Sequence, residues 1–141
     1  MSVCKEEIMN RRKSLSTAAK IILALLVAAS VLLIVCLIGR YGWKLLGFRA
    51  CESAGIDRVT VTDGQVEIIG FDSSSFPSGF LGYYAEETDG KLFVGFRFSQ
   101  IFGLFETGDF QIRIPTQSKI TQVYIKTGQT EYLIWSEADS P

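Results

Sequence analysis

GFLGYYAEETDGKLFVGFRFS, residues 79–99, alternates in character on both sides of Asp89-Gly90. Asp-Gly between two alternating runs favours a two-residue β-hairpin turn. Counting outward from that turn sets Ala85 against Val94, Tyr83 against Phe96 and Leu81 against Phe98. Those six form one apolar face. Glu86, Lys91 and Arg97 take the other, with Tyr84 and Phe93 among them. A slip of one residue would reverse this sorting, so the pattern itself specifies the register.

The neighbouring segments follow the same rule. VTVTDGQVEI, residues 59–68, turns at Asp63-Gly64 and pairs Val61 with Val66 and Val59 with Ile68. Thr60 and Glu67 share its other face. FQIRIP alternates Phe110, Ile112 and Ile114 against Gln111 and Arg113, and Pro115 ends it or marks a sheet edge. ITQVYIKTGQTEYLIW, residues 120–135, is a third hairpin turning between Thr127 and Thr130. Its inward residues are Val123, Ile125, Tyr132 and Ile134. Six or seven short strands at about 8–12-residue spacing predict an all-β domain, a small antiparallel sandwich or roll.

Upstream the period changes. KIILALLVAASVLLIVCLIGR, Lys20–Arg40, holds an uncharged run of 18 residues from Ile21 to Ile38. As a helix it is about 27 Å long, close to the ~30 Å hydrocarbon core of a bilayer. It is apolar all round, and the rest of this chain could hardly enclose it. The run is longer than a secretory h-region, and no A-x-A site follows it. Val35 before Cys36 departs from a lipobox, which needs a small residue there. The favoured reading is an uncleaved single transmembrane helix. The alternative is a secreted β domain released by cleavage after Ala50 or Ala54.

The predicted organisation is a basic cytoplasmic tail over 1–19, a transmembrane helix over 20–40 and a juxtamembrane helical linker over 41–55 that stops at Gly55. An extracytoplasmic β domain then covers 56–136, and a flexible C-terminus covers 137–141. Lys5, Arg11, Arg12, Lys13 and Lys20 precede the span and Arg40, Lys44 and Arg49 follow it. This bias places the N-terminus in the cytoplasm and the β domain outside the cell membrane. Lys20, Arg40, Tyr41, Trp43 and Lys44 are the expected membrane-interface residues, because amphipathic rings and long cations favour that zone.

Residues 55–141 hold six Lys/Arg against twelve Asp/Glu. That acidic balance argues against nucleic acid, whose phosphates need a basic surface. The chain has no histidine, which removes the commonest general base and metal ligand. Cys4, Cys36 and Cys51 form no C-x-x-C pair, and only Cys51 falls beyond the span. It is a buried small residue or, alternatively, one half of an intermolecular bridge. The serines of DSSSFPSG have no G-x-S-x-G setting. No catalytic residue, metal site, cofactor or small-molecule substrate is expected. A third, weaker reading is a membrane-bound hydrolase using acidic residues such as Glu86 and Glu106.

Two segments that read as connections are rich in large apolar residues. DSSSFPSGF (72–80) and SQIFGLFETGDF (99–110) carry Phe76, Phe80, Ile101, Phe102, Leu104 and Phe105. They either cap the domain or form a surface for a protein partner, a second copy or the membrane. Tyr84 and Phe93 on the outer sheet face are the second candidate. The expected role is therefore display of a non-enzymatic domain for protein binding or envelope assembly. The order of tail, anchor and β domain is similar to that of bitopic bacterial envelope proteins, although the pseudopilin processing site is absent.

Overall fold

The computed structural model describes residues 17–104 and 106–139. Lys5, Arg11, Arg12, Lys13, Cys4 and Phe105 lie outside the described residues. The chain separates into two units between Leu37 and Ile38.

Helix α1 runs over Thr17–Tyr41 and buries no residue. Its large apolar side chains are all 48–66% exposed. The Ser30 hydroxyl donates to the Leu26 carbonyl one turn back at 2.8 Å, so the run carries no unsatisfied hydroxyl. This helix is long and apolar enough to cross a membrane.

Seven strands follow: β1 (Ala54–Thr62), β2 (Gln65–Asp72), β3 (Gly79–Thr88), β4 (Lys91–Ser99), β5 (Phe110–Pro115), β6 (Gln122–Thr127) and β7 (Thr130–Ser136). They form a three-stranded sheet in the order β1-β2-β5 and a four-stranded sheet in the order β3-β4-β6-β7. Val66 and Ile68 of β2 and Ile112 and Ile114 of β5 meet Leu92, Val94, Phe96 and Phe98 of β4 in one buried cluster, joined by Val123 and Ile125 of β6. Each such side chain contributes about 1.5–3 kcal/mol relative to exposure.

The expected antiparallel arrangement is corrected at one place: β4 and β6 pair in parallel. The chain leaves the four-stranded sheet after β4 and reverses direction in β5 of the other sheet. It then returns along β6 with the direction of β4. A parallel neighbour needs such a crossover, whereas the three hairpins are local and antiparallel.

Register around Asp63-Gly64 agrees with the sequence pattern, with Val61 opposite Val66 and Val59 opposite Ile68. Around Asp89-Gly90 it agrees as far as Tyr83 opposite Phe96. Beyond that, Phe80 and not Leu81 faces Phe98, because β3 shifts register between Phe80 and Gly82. Gly82 has φ +141°, a region closed to ordinary side chains, and it absorbs the extra residue. In β7, Tyr132 shares the face of its partner Ile125, as the pattern predicts, but it is 55% exposed because it stands on the edge strand.

The segment after α1 is not a plain helical linker. Gly42–Ala50 is a 3-10 stretch kinked at Gly47, where φ is +55°. Gly55 is no helix stop but a β1 residue. Trp43, Phe48 and Cys51 are buried, with Ala50, Tyr84 and Phe93 packed against them. The Glu52 amide donates to the Phe96 carbonyl at 2.8 Å, and the Gly128 amide to the Phe48 carbonyl at 2.8 Å. The segment thereby straps the outer face of the four-stranded sheet.

Candidate functional site

The strap accounts for two of the sequence candidates. Tyr84 meets Phe48 edge-on with ring centroids 4.9 Å apart, and its hydroxyl donates to Glu86 at 2.9 Å. Phe93 stacks on Tyr124 at 5.3 Å. Lys126 lies over both Phe48 and Phe93. These rings hold the strap in place and do not form an open outer surface. Trp43 is likewise corrected. It is 5% exposed, and its indole donates to the Arg40 carbonyl at 3.0 Å, so its ring is packed in protein rather than at a lipid interface.

Phe80 is also moved out of the candidate loop. The bulge turns it onto the inner face, where it stacks on Phe110 at 4.8 Å and tilts against Phe98 at 5.7 Å. Nothing in a one-dimensional alternation marks a bulge; a glycine inside a strand, Gly82, is its only signal.

What remains is a set of side chains that the fold leaves outward. Phe76 is 70%, Ile101 79% and Leu104 71% exposed. Leu45 and Leu46 on the strap are 92% and 61% exposed. Phe48, in the same short stretch, is buried. The backbone under the loops is well bonded. Asp72 accepts from the Ser74 amide at 2.9 Å and from the Ser74 and Ser78 hydroxyls. The Phe80 amide donates to Thr107, the Asp72 amide to Gly108 and the Gly103 amide to Ser99. The chain conformation thus holds the apolar side chains out.

These loops also reach the residues that close α1. Arg40 donates to the Phe102 carbonyl at 2.9 Å and pairs with Glu106 at 2.8 Å. The Phe102 ring fills the space that a Cβ on Gly39 would need. Of the expected interface residues, Lys20, Tyr41 and Lys44 are exposed, and Arg40 is engaged by the loop.

Glu86 and Glu106, the acidic residues singled out in the sequence, lie far apart. Glu106 lies beside Gly79 at the start of β3, and Glu86 lies seven residues along that strand, about 23 Å away at ~3.3 Å per residue. Glycoside hydrolysis needs carboxylates within about 5–9.5 Å. Among the described residues no three His, Cys, Asp or Glu side chains are grouped to hold a metal. Burial pushes the Cys51 thiol up to about 11, which leaves it protonated and inert at neutral pH. An open cleft of about 400 Å³ lies at the opposite end of the strands, between Val61, Gly64, Ser118, Ile120 and Trp135. The Lys119–Glu137 ion pair stands at its rim.

Compared with known protein families, curated proteins and solved structures, the chain shows no match.

Proposed function

We propose that this chain is a single-pass protein of the cell membrane, with its N-terminus in the cytoplasm. In this reading it displays a seven-stranded β-sandwich outside and acts by binding or assembly, not by catalysis. The observation that carries the reading is α1: a 25-residue helix with no buried residue and no polar face. In water such a surface is costly; in a bilayer it is matched to its solvent.

The strap favours retention of the anchor over release of the domain. Cleavage after Ala50 would remove Trp43 and Phe48, and cleavage after Ala54 would remove Cys51 as well, all three buried in the domain. A released product would have to fold without them.

Protease added to intact cells carrying a C-terminal tag tests the topology. The tag should be lost without lysis. A tag protected in intact cells and cut only after lysis would refute the orientation. The intact mass of the mature protein tests retention, and an N-terminus near residue 51 would refute the anchor.

A further inference from the structure

We infer that the exposed apolar residues Ile101, Leu104, Leu45 and Leu46 are a second membrane contact, made by the β domain itself with the lipid surface. This inference rests on the anchor reading and adds a partner to it: lipid, not a second protein.

The argument is one of depth. The uncharged run ends at Ile38, so in a spanning helix Gly39 and Arg40 mark the edge of the hydrocarbon. The loop after β4 is tied to these two residues. Phe102 lies against Gly39, and Arg40 binds both the Phe102 carbonyl and Glu106. Ile101 is adjacent to Phe102, and Leu104 lies between Phe102 and Glu106. Residues this close in sequence to two fixed points stay within about 7 Å of them, at ~3.5 Å per residue. The Phe102 ring and the Arg40 side chain link those points to the hydrocarbon edge, so both residues stay on the bilayer side of the domain, near a headgroup zone of about 5–7 Å given a bilayer of about 40–45 Å around a ~30 Å core. Both side chains are more than 70% exposed.

The strap supplies the other half of the contact. Leu45 and Leu46 follow Tyr41 by four and five residues, so in a 3-10 stretch they lie no more than about 10 Å from it. The same stretch sorts its residues by chemistry. Trp43 and Phe48 turn into the domain, while Lys44, Leu45, Leu46 and Arg49 are exposed. Leucines beside lysine and arginine suit a surface of acyl chains beneath anionic headgroups. Cation and apolar group together favour lipid over a purely apolar protein groove. Of the two acidic residues in the loop, Glu106 is paired with Arg40, while Asp109 stands exposed next to the start of β5, away from the residues tied to Gly39 and Arg40.

Spin labels on the full chain in liposomes of mixed zwitterionic and anionic lipid test this. The background is Cys4→Ser with Cys36→Ala, and buried Cys51 is left in place. Labels are introduced at Ile101→Cys, Leu104→Cys and, on the other segment, Leu45→Cys. Asp63→Cys, at the β1–β2 turn some 30 Å along the strands, reports on water. Native Cys36 in Cys4→Ser alone reports on the anchor. Lipid-soluble oxygen should broaden the signals at 36, 101, 104 and 45 more than a water-soluble nickel chelate does, with the reverse at 63. Nickel-dominated signals at 101, 104 and 45 while 36 stays oxygen-dominated would overturn the contact and leave the anchor standing. Labels at 101 and 104 shielded from both reagents would mean a protein surface covers them, which also overturns it. A nickel-dominated signal at 36 would overturn the anchor and the contact together.

Discussion

Helix α1 and strand β4 are both strongly apolar, yet the fold treats them in opposite ways. In α1 every large apolar side chain is about half exposed or more. In β4, Leu92, Val94, Phe96 and Phe98 are 2% exposed or less. Periodicity separates them, together with the charges of β4 at Lys91 and Arg97. Alternation by two gives β4 one face to bury against the other sheet, while a run apolar at every position offers no face to choose. One element is solved by protein packing and the other, in our reading, by lipid.

Substitutions that remove the same kind of atoms in the two elements should therefore differ most. Phe96→Ala should cost the β domain about 3–5 kcal/mol, because it opens a cavity beside Phe110. Leu32→Ala in α1 should leave the domain's urea midpoint unchanged, since Leu32 is 66% exposed. Equal losses, read from tryptophan fluorescence of full-length protein in detergent, would break the contrast.

Trp43 stands at the boundary between the two regimes and sharpens it. Trp43→Ala should destabilise the domain by about 3 kcal/mol, from a lost ring and a lost indole hydrogen bond. An interface ring would cost the folded domain almost nothing. A modest effect comes next, from acid. Glu67 is held below the usual range by hydrogen bonds from Arg113 and then Gln111, and Glu87 by Ser118 and the Gln117 amide. Burial raises Asp72, but the hydrogen bonds from Ser78 and Ser74 together outweigh it and leave it lowered. These groups bind protons less readily folded than unfolded. Their contribution is present above about pH 4 and lost as pH falls through the depressed values. The urea midpoint should be flat near neutrality and fall in acid. The smallest effect is Glu106→Gln. Its pair with Arg40 is well exposed, so the loss should be about 0–1 kcal/mol in the same assay.

Much of this was legible along the chain. Two Asp-Gly turns and strict alternation specify the first two hairpins, and the alternating burial in β5 follows FQIRIP residue by residue. Three features were not. The bulge at Gly82 moved Phe80 inward, the crossover through β5 made β4 and β6 parallel, and the strap buried Trp43. Each depends on residues far apart in sequence meeting in space, which local pattern does not encode.

The amino-acid sequence alone determined an apolar helix of membrane length, an acidic domain of six or seven strands and most of its hairpin register. It did so because those features rest on local periodicity and turn chemistry. Only the tertiary structure decided which aromatic residues are core and which are surface. Phe80, Tyr84, Phe93 and Trp43 found partners across the fold, whereas Phe76, Ile101 and Leu104 did not find enough to be buried. A side chain's exposure is set by what the rest of the chain brings against it, and no stretch of sequence contains that information by itself.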